Sequence, residues 1–319
     1  MSTTLTSAPA PQRPASLQPS GRKRRQQIFE KFVVAVLATV ASTGVVVTSI
    51  VVLALVRPTF DFFRSVPIGE FLGSVDWYPL YEPPDFGVWP LVTATAMVMT
   101  IAVLVAVPGG LGIAFYLNQY SSRRVRRWLK PVIELLGGIP TVVFGFFALY
   151  FVSPNVVARV WPVGEVGLYS GLAAGLTVGL MILPMMTTLA EDAMASVPSA
   201  LVEGAYALGA TRREVCTGVV FPAALSGIIA AVVIAASRAI GETTIVLLAA
   251  GNRANFTFDP GQPMQTMAAF IGFAGIGDQP TDSTGYRTIF AVGSLLFVIT
   301  FVLNMVSRRI VRRFREVYE

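Results

Sequence analysis

Hydrophobic residues in this chain come in long runs, and most of the charges fall between them. Six stretches are uncharged or nearly so over the roughly 20 residues that a helix needs to cross the hydrocarbon core of a bilayer. They are 32–56, 88–117, 132–152, 166–189, 219–251 and 289–307. The second holds Pro108-Gly109-Gly110 and the fourth holds Pro184, which predicts a kink in each. The fifth is too long for one simple crossing and contains Arg238 and Glu242, near which it is expected to break. The first 27 residues are rich in Ser, Thr, Pro and Gln and lack apolar periodicity, which predicts a disordered tail at 1–27 ahead of a transmembrane domain at 28–319.

Composition makes the class explicit. Of 319 residues 54% are hydrophobic and 13% charged, against about 25% charged in an average soluble domain. Mean hydropathy is +0.66. The expected fold is an all-α polytopic membrane protein with six transmembrane helices.

Charge orients it. Placing the N-terminus in the cytoplasm puts eighteen of the 24 Lys and Arg residues inside, from Arg13 to Arg315, and leaves five outside, with Arg238 within a span. The positive-inside rule then puts both termini in the cytoplasm. The Arg22-Lys23-Arg24-Arg25 run is read as a topology signal beside a membrane span and not as a nucleic-acid contact. Membrane lipid is the expected surrounding.

Several chemistries are excluded. The chain has no histidine, so His-based acid–base catalysis and His-ligated metals are out. Its lone cysteine, Cys216, forms no internal disulfide. None of its lysines (Lys23, Lys31, Lys130) follows a glycine, so the loop that cradles nucleotide phosphates is absent. The chain carries no cofactor in this reading, and any ATP it depends on must be bound by another subunit.

Two features stay open at this level. Trp77, Tyr78, Tyr81 and Phe86 lie in the outer segment 57–87, either at the lipid interface or on a surface for a soluble partner. Gly171, Gly175 and Gly179 form a ridge for close helix packing, within the subunit or at a dimer seam.

Between the fourth and fifth spans the chain reads Glu203-Gly204-Ala205-Tyr206-Ala207-Leu208-Gly209-Ala210, and after nine residues beyond Gly209 follows Val219-Val220-Phe221-Pro222. This resembles the EAA signature of ABC-importer permeases, E-A-A-x3-G-x9-I-x-L-P, with Gly204, Val219 and Phe221 as mild departures. The small residues among these let a short helix approach another protein closely. Glu203 is expected near the start of that helix, where an acid suits the helix dipole.

Two further stretches narrow the resemblance. Ile133-Glu134-Leu135-Leu136-Gly137-Gly138-Ile139-Pro140-Thr141-Val142-Val143-Phe144-Gly145 is similar to the third-span signature of phosphate-importer permeases, and Arg238-Ala239-Ile240-Gly241-Glu242-Thr243 to their R-A-[LI]-G-E-T element. Phe71-Leu72-Gly73-Ser74-Val75-Asp76-Trp77-Tyr78-Pro79 resembles the first outer loop of the PstC-type subunit. The likeness runs from about residue 28 to 319. It implies the type I ABC-importer permease fold, with no bond chemistry in this chain. It also implies a PstA-like sister permease, a pair of ATPase subunits docking on a coupling loop at 198–218, and an external phosphate-binding protein. Alternating access would be the mechanism. The same superfamily includes permeases for molybdate, tungstate or sulfate, and a secondary carrier needing no ATPase is the reading from another class.

The ionisable residues within the runs are the candidate chemistry. Glu134, close to Lys130, is either an interfacial charge pair or part of a gate, with Thr141 nearby. Arg238 and Glu242 sit four apart, on one helix face within salt-bridge reach. Gly241 permits a break between them, and Thr243 and Thr244 add hydroxyls just beyond. Arginine's planar fork matches phosphate oxygens, which makes Arg238, Glu242, Thr243 and Thr244 the expected substrate path. Glu203, Gly204, Ala205, Gly209 and Ala210 are the expected coupling residues.

Overall fold

The structure, a computed structural model, describes residues 21–161 and 167–313, so Arg13, Arg315 and the first 20 residues of the expected tail lie outside the described residues. It divides into two compact units, Met1–Ala54 and Leu55–Glu319.

In the first unit, residues 21–54 belong to helix α1 (Gly21–Ser65). From Arg25 to Ala54 every side chain except Val52 is exposed. A helix apolar on all sides with no buried face is stabilised by lipid. The helix begins seven residues inside the stretch expected to be disordered. Arg, Lys and Gln are good helix formers, and extending a helix avoids the unfavourable nucleation step.

The second unit is helical throughout its regular structure. After the end of α1 come α2 (Ile68–Gly73), α3 (Trp89–Phe115), α4 (Arg123–Leu136), α5 (Thr141–Phe147), the single turn α6 (Ala158–Val160) and α7 (Gly171–Ala195). Then follow α8 (Ser199–Ala207), α9 (Arg212–Val215), α10 (Phe221–Ile240), α11 (Thr244–Ala249), α12 (Met267–Gly275) and α13 (Thr284–Arg313). Wide π-type turns at Tyr116–Tyr120, Ala148–Val157 and Cys216–Val220 extend α3, α5 and α9. Among the described residues six helical runs are long and apolar enough to cross a membrane: Arg25–Ser65, Trp89–Tyr120, Thr141–Val160, Gly171–Ala195, Arg212–Ile240 and Thr284–Val311. Helical structure passes without a break through Pro108 and Pro184.

The third crossing starts nine residues later than the hydrophobic pattern suggests. Gly137 and Gly138 disfavour a continuing helix, and Pro140 turns the residue before it away from α geometry, so α4 ends at Leu136 and is a separate element. The fourth extends six residues past its expected end, carrying Glu191 and Asp192 in its last turns.

The glycine ridge packs inside the subunit. A Cβ added to Gly175 would lie 2.7 Å from Ile101 Cβ, and one on Gly179 would lie 2.8 Å from Val105 Cβ, both on α3. From the other side Gly110 of α3 meets Met186 of α7 just as closely. These reciprocal small residues let α3 and α7 approach and bury Ala94, Val98, Ala102, Ala174, Val178 and Ile182 between them. Helices α10 and α11 complete that core.

A second core lies where α2, α12 and α13 meet the end of α1. Phe62 is fully buried, with Phe71 and Phe86 edge-to-face around it, and Trp77 packs the same way on Phe270. Trp77 and Phe86 therefore belong to this core and to neither of the surfaces proposed for them, because one antiparallel bridge between the two folds the outer segment inward. Tyr78 and Tyr81 remain exposed.

Replacing Gly175 by Leu overpacks the α3–α7 contact and lowers stability by about 1–3 kcal/mol or more. Gly112→Leu, where a Cβ meets open space, shifts it by less than about 0.5 kcal/mol. Thermal unfolding of both variants in detergent checks this, and equal melting shifts would contradict the packing.

Candidate functional site: a coupling turn and a broken helix

Segment 198–218 folds as a helix–turn–helix. Pro198 precedes α8 and supplies no side-chain cap. The helix closes when Ala210 N–H bonds to Ala205 C=O and Gly209 N–H bonds to Tyr206 C=O, a Schellman ending. That ending places the residue after the cap in the left-handed region, and Gly209 has φ +87. Thr211 then starts α9 through a capping box: its hydroxyl accepts from Glu214 N–H, and the Glu214 carboxylate accepts from Thr211 N–H at 2.8 Å.

The face this leaves bare is small and apolar. Glu203, Gly204, Ala207 and Gly209 are exposed, Ala205 and Ala210 half-buried, and Leu208 is 91% exposed beside Tyr206. A Cβ at Gly204 would meet nothing within 4 Å. Glu203 stands in the second turn of α8, because the helix begins at Ser199, so the proposed dipole interaction does not apply to it.

From Arg212 to Ile240 the chain is one helical run of 29 residues, roughly 40 Å long at 1.5 Å per residue. At its far end the helix breaks over residues 241–243, as the length of the fifth apolar stretch predicts. Glu242 holds both sides of the break. Its Oε2 pairs with Arg238 at 3.2 Å, and its Oε1 accepts the N–H groups of Thr244 at 3.1 Å and Ile245 at 3.2 Å. The carboxylate thus satisfies two free amides at the start of α11 while facing a cation. Glu242 is 3% exposed, whereas the Arg238 side chain is 45% exposed.

Thr243 donates its hydroxyl to the Gly241 carbonyl at 3.3 Å, and Thr244 is half-buried. The structure brings Arg238, Glu242, Thr243 and Thr244 together. Glu134 is not an ion-pair partner of that group, and Thr141 belongs to α5, which packs on α11 where Gly145 meets Leu248. Glu134 is exposed on α4, outside the third crossing, and makes no ion pair among the described residues. Thr141 begins α5.

Residues 106–316 match the family described as binding-protein-dependent transport system inner membrane component. The chain belongs to this family. Among curated relatives it is 34% identical over 263 residues to the phosphate transport system permease protein PstC of Mesorhizobium japonicum, covering 76% of this chain and 78% of that one. It is 30% identical over 314 residues to PstC 2 of Mycobacterium tuberculosis, covering 90% and 92%. Among solved structures it superposes on a chain of a bacterial alginate ABC transporter with a TM-score of 0.65 at 16% identity, over 93% of this chain and all of that one. The chain has the all-α ABC-importer permease fold.

One cluster in the permease has no counterpart in the sequence reading. Glu191, near the end of α7, is fully buried and receives Arg126 on Oε1 and Lys130 on Oε2, the latter at 2.7 Å. Lys130 also reaches Asp192 at 2.9 Å. Lys130 is therefore paired with α7 and not with Glu134. Its hydrogen bond to Glu191 raises the ammonium above the usual lysine range. A raised lysine stabilises the fold below its ordinary value and ceases to do so as pH rises through the raised one, so this clasp persists at physiological pH. The signal was an acid just beyond an apolar run, seven residues ahead of Pro198.

Glu191→Gln keeps the shape but leaves Arg126 and Lys130 without their shared counter-charge. It destabilises the permease by about 1–3 kcal/mol and loosens α4 to limited proteolysis between Arg123 and Lys130. Unchanged melting and cleavage would contradict the clasp.

Proposed function

We infer that this chain is a membrane permease subunit of an ATP-driven phosphate importer and forms half of its translocation path, the other half coming from a PstA-like sister permease. A pair of cytoplasmic ATPase subunits binds and hydrolyses the ATP and docks on segment 198–218. An external binding protein delivers phosphate, and both termini are cytoplasmic. Support for the substrate comes from the relatives that bear the name phosphate transport system permease and from the chemistry of Arg238. Support for the division of labour comes from a sequence without a nucleotide-cradling loop and from the bare, small-residue face of α8.

The observation that carries the reading is one continuous helical run that begins at the coupling turn and ends at Arg238 and Glu242. Movement of α8 with the ATPases is transmitted along this run to the break. A half-exposed arginine on an otherwise apolar helix must face a partner protein or a wet path. Its fork takes an oxyanion in two parallel hydrogen bonds. Glu242 holds the fork in place when the path is empty and lowers the positive field, so the anion is attracted and still released. Its two bonds to α11 keep that geometry fixed through the cycle.

Arg238→Gln lowers phosphate uptake into vesicles by about 10- to 100-fold, the worth of charge-assisted hydrogen bonds, while subunit assembly persists. Arg238→Lys restores little, because a point charge lacks the fork. Normal uptake in Arg238→Gln refutes the role, and loss of assembly assigns the pair to structure alone.

Coupling is best tested at Gly204, since a side chain at Gly209 would also strain a left-handed residue. Gly204→Leu places bulk on the open face and reduces ATP hydrolysis stimulated by the binding protein severalfold, with normal membrane insertion. Wild-type stimulation in this variant would sink the docking assignment.

A further inference from the structure

Helix α4 has three distinct sides. One side carries Arg126, Lys130 and the buried Ile133 inward, where both cations are consumed by Glu191 and Asp192. A second side carries Val125, Trp128, Val132 and Leu135 at i, i+3, i+7 and i+10, which on a helix is one stripe. That stripe is bare: Trp128 is 78% exposed and Leu135 74%. The third side carries Arg123, Arg124 and Arg127, all exposed and in no ion pair among the described residues. Arg124 sits where the basic and apolar sides meet, at the rim of a shallow hollow of about 380 Å³ between Val125, Trp128, Leu129 and Val132.

We propose that α4 is a membrane-surface helix that binds anionic lipid, its arginines on the headgroup and its Trp128 stripe against the acyl chains. A free anion would need the charges but not the apolar stripe beside them. A soluble protein partner is a weaker fit to a bare tryptophan on a short amphipathic helix that follows the crossing Trp89–Tyr120 by two residues, since tryptophan beside a crossing marks the lipid interface. The remaining charge is complementary: after the clasp has used two of five basic residues, three arginines stay free against one acid, Glu134. Basic amphipathic helices hold anionic bilayer surfaces in this way. Because the inward side of α4 grips the end of α7, just ahead of the coupling turn, bound anionic lipid steadies the element from which α8 departs. The proposal needs a membrane-embedded chain and is independent of what that chain transports.

The test uses the full-length chain, purified with the subunits that co-elute with it, in nanodiscs of phosphatidylcholine. Brominated phosphatidylglycerol or brominated phosphatidylcholine is added at equal mole fraction, and tryptophan fluorescence is compared between wild type and Trp128→Phe to isolate Trp128. Both lipids quench Trp128, and phosphatidylglycerol associates at least about fivefold more strongly, the factor expected for one basic residue near a charged surface. Replacing Arg123, Arg124 and Arg127 together by Gln, which leaves Arg126 and Lys130 in place, abolishes that preference while quenching by phosphatidylcholine persists. On the unmutated protein, 0.5 M salt weakens the preference, so the result does not depend on how the variant folds. Absence of quenching by either lipid would show that protein covers this face and overturn the proposal. Equal quenching by the two lipids would overturn headgroup recognition, and loss of the preference on adding inorganic phosphate would reassign the arginines to a free anion.

Discussion

A helix that stops and restarts within a packed membrane protein leaves amide groups that must find acceptors, and at residues 241–243 one carboxylate answers for both sides. Glu242 receives Thr244 and Ile245 on one oxygen and Arg238 on the other. Without the carboxylate, the amides of Thr244 and Ile245 would lose their acceptor. Without the arginine, the carboxylate's charge would be balanced only by dipoles. The cation is fixed in turn at a known place on a rigid element, which any selective contact with an anion requires. The half-exposed fork of Arg238 thus follows from how the chain satisfies its own backbone.

The rest of the subunit supports that point from two directions. Close approach of α3 and α7 through Gly175, Gly179 and Gly110 makes the rigid wall against which α10 and α11 pack. At the other end, α4 is tied to α7 by Arg126, Lys130 and Glu191, so the stretch leading into α8 is held electrostatically. Between a braced wall and a clasped base, the run from Arg212 to Ile240 is the element that joins the exposed turn after α8 to the break. Its wide turn at Cys216–Val220 is the irregular point along it, immediately after the capping box of Thr211 and Glu214.

What was legible in the sequence divides along physical lines. Length and apolar character gave six crossings, and excess length gave the break in the fifth, because crossing a bilayer fixes how many residues one helix can use. The spacing of Arg238 and Glu242 predicted their pairing because four residues are about one helical turn. The backbone amides that Glu242 also caps were invisible, since they depend on where the new helix restarts. The third crossing was placed too early because hydrophobicity runs straight across Gly137-Gly138-Ile139-Pro140 while the backbone does not. Glu191 was passed over because a charge ended the apolar run; its burial depends on cations 61 and 65 residues away in sequence. Trp77 and Phe86 read as lying at the lipid interface or on a surface for a soluble partner because aromatic residues near a span usually do, and the bridge between them turns both rings inward.

Passage of phosphate along an oxyanion path at the broken helix is tested most directly by ATP-driven uptake of radiolabelled phosphate by the complete wild-type complex in sealed vesicles, challenged by excess unlabelled molybdate or sulfate. The expected result is phosphate accumulation that depends on ATP and on the external binding protein and is little reduced by either competitor. Accumulation of labelled molybdate or sulfate in place of phosphate, or phosphate movement without ATP, would contradict it.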